Sequence, residues 1–507
     1  MFAQALARTA RIYGTRTAVV SEAGRLTWQE LAGRIGSVAA GLRELGLQPA
    51  DRIAVVAGNS PEHLVMMYAV AWAGFVHVPL NTRLAIAEMK QIADEAEVSA
   101  IAADGENKDA LAALSGAAAK SPVLIDLDGG TGQGHGLDAL ARNDGMEPWK
   151  AEMWDLAALY YTGGTTGRPK GVMISDGALT VQTLNLVNDL NISSETVYIH
   201  APPIFHLAGA GVTHACAFAG AMQIFPAELS PAEFLQTVAH HDVTLVSLIP
   251  TMLAGMMEAP DVSDAFKAVR TIVYGAAPIS EVLLRKVMDR CPEVDLVQIY
   301  GQTECTGPCL ILPPERHTLS GPLAGKLNTA GRANMTSEVR IVDESGRPAP
   351  PGAAGEILIR GPSVMLGYWK QPEATEQTLK DGWLHTGDVG VMDEDGFVRI
   401  ADRLKDMIVS GGENVFCGEV ENAVAEHPEV IACAVIGVPD EKWGERVHAV
   451  VVVGDGATLS ETSLREHCKS LIAGYKCPRS ATFTTDPLPL SAVGKVRKDL
   501  LRDHAAG

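Results

Sequence analysis

No apolar run in this sequence is long enough to span a bilayer. The longest, Leu64 to Val76, falls short of the roughly 20 residues that a spanning helix needs. It reads as a buried helix followed by a strand. A secretory leader is not expected either: Met1 to Tyr13 carries Arg8 and Arg11 without an apolar centre, and reads as an amphipathic helix. The 8 cysteines (Cys216, Cys291, Cys305, Cys309, Cys417, Cys433, Cys468 and Cys477) contain no C-x-x-C pair. The Cys305/Cys309 spacing is a poor match to zinc patterns. Neither a disulfide framework nor a structural zinc is expected, and a reducing cytoplasm fits. Basic charge is short as well. With 41 Lys and Arg against 61 Asp and Glu, the formal net charge is -20. That argues against a general nucleic-acid or anionic-membrane binder, though not against a local basic patch. There is no internal repeat and no low-complexity segment.

The 507 residues that remain are 47% apolar and 20% charged, an ordinary globular balance with ample core. At about 150 residues per unit, the length suggests roughly three domain-sized units. Strand-like and helix-like segments alternate. Ala18 to Val20 and Ile53 to Ala57 read as strands. Thr27 and Glu30 form a capping box for a helix running towards Leu45. Ser60, with Pro61 at the first helical position, opens another helix. Phe75 to Pro79 and Val98 to Ala102 are further strands. This rhythm predicts an α/β fold with layered, largely parallel sheets. The glycine-rich stretch Gly129 to Gly136 reads as a surface loop and not as a dinucleotide fingerprint.

Near Ala401 to Lys405 the pattern restarts as a compact α+β unit. It comprises a helix from Glu419 to Glu426, strands Val430 to Gly437 and Val447 to Val453, a helix capped by Ser460 and reaching Ile472, and a strand from Ala481 to Thr485. The expected division is a large N-terminal α/β domain, 1–401, and a small α+β domain, 402–507, hinged near 402–406.

Tyr160 to Gly171 reads Tyr-Tyr-Thr-Gly-Gly-Thr-Thr-Gly-Arg-Pro-Lys-Gly. Glycines turn backbone N–H groups towards an anion, threonine hydroxyls add donors and a lysine adds a point charge. Thr162, Gly163, Gly164, Thr165, Thr166, Gly167 and Lys170 thus form a candidate polyphosphate clamp. It is not a Walker A loop, because Pro169 precedes Lys170 and a strand, Val172 to Ile174, follows. Further on, Tyr300-Gly301-Gln302-Thr303-Glu304 follows an apolar strand. Tyr300 could stack on a purine, Thr303 could donate to a phosphate oxygen and Glu304 could hold Mg²⁺. Asp388, in Trp383 to Asp388, suits the vicinal hydroxyls of a ribose, with Arg403 as a complementary donor.

In this order, the motifs resemble the adenylate-forming superfamily of acyl-CoA synthetases, luciferases and peptide-synthetase adenylation domains, and most nearly its acyl- or aryl-CoA synthetases. The resemblance covers essentially the whole chain. It implies an active site between the two domains, with ATP, Mg²⁺ and coenzyme A taking part. It also implies that Gly275, Ala276, Ala277 and Pro278 line an adenine pocket. Lys495, on the small domain, would reach the carboxylate and α-phosphate oxygens, and closure would deliver it. Lys405 occupies the hinge position, and Gly411 and Gly412 would line a pantetheine tunnel. Trp443, Tyr475 and Lys476 match places where some relatives meet the nucleotide end of CoA. His206, in a Phe-His motif, lies by resemblance near the acyl pocket. Many amino-acid-activating relatives carry aspartate there, so an α-amino acid is disfavoured. Small residues at Ala208 to Gly211, with Thr306 and Gly307, suggest a roomy apolar pocket for an aromatic or a medium- or long-chain fatty acid.

The implied activity is that of a carboxylate–CoA ligase: acyl-AMP and pyrophosphate form first, then acyl-CoA and AMP. An enzyme loading a separate carrier protein, and a non-catalytic nucleotide- or acyl-binding protein, are the competing readings. The partners are small molecules, with no nucleic acid and no integral membrane segment; a homodimer is left open. Several positions depart from the family pattern. Gly163 stands for a serine, Cys417 for a proline, and Asp176 for a common histidine; Asp176 is expected to cap the helix that follows. Ala333 and Met335 interrupt a Gly-Arg-Pro-x-Pro pattern.

Overall fold

The computed structural model describes residues 1–116, 121–162, 169–277, 279–403, 406–411, 413–440, 442–490 and 496–506, with backbone only for Arg403, Asn414 and Ala506. Among these, the strands form four sheets. The nine-stranded sheet is parallel through Thr17–Ser21, Met222–Ile224, Val197–Ile199, Leu245–Leu248, Thr271–Gly275 and Asp295–Gln302. An antiparallel strand, Gly307–Leu312, then turns back along Asp295–Gln302. The eight-stranded sheet repeats this plan. Its parallel part includes Ala100–Ala103, Arg52–Val56, Val76–Pro79 and Leu156–Thr162, and the antiparallel strand Lys170–Ser175 follows. The expected parallel α/β architecture is therefore present, with antiparallel strands at both edges of the nine-stranded sheet and at one edge of the eight-stranded sheet.

Local chemistry sets the elements. Thr27 Oγ1 accepts from Glu30 N at 3.2 Å and Glu30 Oε2 accepts from Thr27 N at 2.8 Å, a closed capping box. Ser60 caps Pro61–Trp72, with Pro61 where its missing N–H costs nothing. Burial does the rest. The helix Leu207–Ala219 gives Leu207, Ala217 and Phe218 to the core shared with the first helix, Phe2–Tyr13, and Val212, Ala215 and Cys216 to a second core. A helix apolar on every side has to sit between layers.

A third sheet is antiparallel, built from Glu338–Val342, Ala354–Arg360, Trp383–Met392, Leu379–Lys380 and Val398–Arg403. The fourth sheet takes strands from Ile408–Ser410 to Ser480–Thr484 and has its own core, including Val420, Val435, Val451 and Leu464. Its helices, Cys417–Ala425 and Glu461–Lys469, match the expected ones, the second ending before Ile472.

Two expectations change. Asp176 does not cap its helix: Ser175 does, accepting from Ala178 N at 3.1 Å. The Asp176 carboxylate instead accepts from Phe2 N at 3.1 and 3.3 Å, tying down the first helix. The Gly129–Gly136 stretch is a loop only in part. Asp126 accepts from the backbone N–H groups of Gly129 and Gly132, and His135–Gly136 joins the eight-stranded sheet as its edge.

Candidate active site

In parallel α/β sheets, ligands gather where the strands end at their carboxyl side. The motifs lie there. Thr162 ends Leu156–Thr162 and pairs with Lys170, which begins the return strand. Gly163 to Gly167, between them, lie outside the described residues. Gly275 ends the strand Thr271–Gly275, and Ala276 and Ala277 follow it, while Pro278 is outside the described residues. Gly301 and Gln302 end Asp295–Gln302, and Thr303 and Glu304 open the one-turn helix Thr303–Cys305.

Glu304 is joined to the phosphate-loop hairpin by a residue that the sequence did not flag. Tyr368 Oη donates to Glu304 Oε1 at 2.9 Å. The Lys170 ammonium sits 4.8 Å from the centre of the Tyr368 ring. Burial, with Glu304 second, raises the Tyr368 phenol above its usual range and keeps it a donor. Glu304, Thr303, Lys170 and Thr162 are thus drawn towards one region.

A second group forms around Asp388, which is 5% exposed. Tyr300 Oη donates to Asp388 Oδ2 at 2.6 Å. Burial and then the Asp388 charge push that phenol well above its usual value. Tyr300 belongs to the site, but its polar end is bound to the candidate ribose aspartate. Asp388 lies inside the strand Trp383–Met392, and the residues before it are held by a neighbouring strand: Glu356 accepts from Gly387 N at 3.1 Å and lies 2.8 Å from His385 Nδ1. Gln302 Nε2 reaches Thr386 O at 3.3 Å, joining both motifs. Arg403 lies opposite Asp388 in the strand register.

His206 stands at the N-cap of Leu207–Ala219, its ring 4.8 Å from that of Phe205. Asn59 holds the loop before it, donating to Pro202 O at 3.0 Å and accepting from Ile204 N at 2.8 Å. Some of the small residues here serve packing. A Cβ on Gly209 would lie 2.3 Å from Pro203 O, so this glycine lets the helix start against its own loop. Ala210 is fully buried, and Thr306 donates to Ser363 O at 2.6 Å. Packing thus takes up Gly209, Ala210 and Thr306, while a Cβ on Gly307 would meet nothing nearer than Gln182 at 3.8 Å. A cavity of about 240 Å³ does occur, but under the first helix, among Phe2, Met67, His77, Trp149 and Tyr160, away from Glu304 and Asp388.

In the C-terminal unit, Gly411 has φ +65° and a Cβ there would lie 2.8 Å from Trp443 Cε3. Its smallness serves this aromatic contact. Trp443 is covered on one side by the Arg479 guanidinium, 3.9 Å from the ring centre. Tyr475 is 41% exposed. Lys476 is held by both Glu419 oxygens at 2.7 Å, so its charge is already partnered. Lys405, Gly412 and Lys495 lie outside the described residues.

Comparisons with known proteins give the family. Residues 6–369 match the AMP-binding enzyme family, and residues 419–495 match the AMP-binding enzyme C-terminal domain. The chain is 37% identical over 497 residues to a feruloyl-CoA synthase of an Amycolatopsis species, covering 98% of this chain and 97% of that protein. It is 34% identical to an indoleacetate–CoA ligase of Aromatoleum aromaticum, covering 97% and 95%. The crystal structure of ATP-bound MatB from Rhodopseudomonas palustris superposes with a TM-score of 0.90 at 32% identity, covering 99% of each chain. The chain belongs to the AMP-binding enzymes of the adenylate-forming superfamily.

Proposed function

We propose that this AMP-forming acid–CoA ligase activates an aromatic carboxylic acid whose carboxylate sits on a short side chain. The observation that carries the reaction is the convergence of Glu304, Lys170 and Thr162 beside the Tyr300–Asp388 pair at the strand ends. The two aromatic-acid ligases among its relatives support the substrate class. His206 in place of an aspartate fits an acid with no α-amino group.

The site's chemistry follows from charge and position. A carboxylate oxygen attacks the α-phosphorus of ATP, and pyrophosphate leaves with the bonding pair. Lys170 and the loop N–H groups hold the polyphosphate, and Asp388 with Arg403 holds the ribose. Lys495 neutralises the oxygens as charge builds there. The thiolate of CoA then attacks the acyl carbon, and AMP leaves. Between the steps the C-terminal unit, hinged near 402–406, exchanges Lys495 for the loop at Gly411 and Gly412. Trp443 and Tyr475 serve the nucleotide end of CoA. Lys476 does so only by giving up Glu419.

Mg²⁺ fits the donors present. No cluster of three or more His, Cys, Asp or Glu side chains able to hold a metal occurs among the described residues. A lone carboxylate, Glu304, suits an ion held mostly by nucleotide phosphates. Bound there, Mg²⁺ would neutralise phosphate charge. No helix described is long and apolar enough to cross a membrane. All eight cysteines are free, which fits a cytoplasmic setting, and a homodimer is compatible with this reading.

The test is competition between acids. Hydroxycinnamates, arylacetates and fatty acids of 8 to 12 carbons, a range of about four methylene steps, are offered together with ATP and CoA. The proposal expects aryl-CoA esters to dominate the products. Dominant fatty acyl-CoA would overturn the substrate class and leave the reaction standing.

A further inference from the structure

The segment 365–369 stitches the two halves of the site together. Met365 N donates to Glu304 O at 2.9 Å, Leu366 N to Met173 O at 2.9 Å and Trp369 N to Gly171 O at 2.7 Å. Gly367–Tyr368 pairs antiparallel with Val172 and Met173, on the strand that leaves the phosphate loop. Tyr368 N donates to Thr375 Oγ1 at 2.9 Å, which fixes the backbone from its other edge. Tyr368 therefore has little freedom, and only 6% of it is exposed.

Its side chain has two ends with different tasks. The ring face meets the Lys170 ammonium, and the hydroxyl meets Glu304 Oε1. A cation over an aromatic face is held without being neutralised, so Lys170 keeps its charge for an anion. A carboxylate that accepts one charge-assisted hydrogen bond is fixed in rotation. Lys170 and Glu304 are thus spaced by the tyrosine and not collapsed into an ion pair with each other. Such a collapse would consume the two charges that a metal–polyphosphate needs separately.

We infer that Tyr368 is a positioning residue for adenylation. It holds Glu304 turned towards the metal of metal–ATP and keeps Lys170 apart for the phosphates. This rests on the reading of Glu304 and Lys170 given above.

The test is calorimetric titration of ATP into the full chain, across a Mg²⁺ series and in EDTA. The proteins are wild type, Tyr368→Phe, Glu304→Gln and the double variant. Tyr368→Phe removes one oxygen and leaves the ring under Lys170. It should weaken Mg·ATP binding by about 10-fold, the order expected for losing a hydrogen bond to a charged group. It should leave metal-free ATP binding and the KM for the acid unchanged. In the Glu304→Gln background the same change should cost nothing further. Wild-type affinity in Tyr368→Phe, an equal loss in EDTA, or additive losses in the double variant would each overturn the role. If wild type bound no ATP at all, the adenylation reading would fall with it. Binding by wild type together with an unaffected Tyr368→Phe would remove only Tyr368.

Discussion

Two residues at the strand ends hold backbone conformations that glycine would hold more easily. Ala276 has φ +64° and Thr306 has φ +59°. For residues bearing a Cβ, this region costs about 1–2 kcal/mol, and a β-branched threonine there is an outlier. Both sit beside the motif residues, where the surrounding structure holds such strain in place. Ala276→Gly should therefore raise stability to urea by about 1 kcal/mol, read from the shift in midpoint at unchanged slope; a destabilised variant would show that Ala276 is not strained. At this scale the sequence exposed what carries a local pattern. Glu304, Thr303, Lys170 and Asp388 stood in short motifs, and three of them contact a tyrosine: Glu304 and Lys170 meet Tyr368, and Asp388 meets Tyr300. Tyr368, Asn59 and Glu356 had no such pattern. Each reaches its partner across dozens of residues or more of chain, so no window of sequence contains the pair. Gly209 could not be read from sequence, because a missing Cβ signals close approach without saying to what.

Elements deliver the side chains, and the deliveries have supports that can be removed. Asp388 lies within the strand Trp383–Met392, and the residues before it hang on Glu356 from the neighbouring strand Ala354–Arg360. That carboxylate satisfies Gly387 N and His385 Nδ1 together. Glu356→Ala leaves both groups unpaired, at about 1–3 kcal/mol. It should weaken ATP binding about 10-fold while CoA affinity is retained, as titration of each ligand would read. Equal loss of both would mean that Glu356 supports the fold generally. The strand–helix rhythm was legible because period and caps are local: Thr27 with Glu30, Ser60 with Pro61 and Ser460 all cap as expected. The sheet order was not, because partners such as Thr17–Ser21 and Met222–Ile224 are brought together only by the whole core.

At the scale of the whole molecule, buried imidazoles set the response to acid. Burial lowers His63 and His77, and holds His200 and His214 down to about 3. The folded chain keeps them neutral, whereas the unfolded chain takes up their protons below about pH 6.5. The unfolded state then binds more protons, so stability is full above pH 6.5 and falls on acidification towards pH 3. Each histidine contributes a slope of about 1.4 kcal/mol per pH unit. His214→Phe, among Phe2, Tyr68 and Phe218, should shallow that limb by one proton. An unchanged limb in urea unfolding at several pH values would show that His214 is protonated in the folded state. The proposed function is also a property of the whole molecule, because it has the strand-end cluster and the C-terminal unit act in turn. The measurement that tests this most directly is AMP formation by wild-type protein with ATP and an aromatic acid, with and without CoA. The account predicts pyrophosphate release dependent on the acid, and sustained AMP turnover with an aryl thioester only when CoA is present. Turnover indifferent to CoA, or ATP binding without acid-dependent pyrophosphate release, would contradict it.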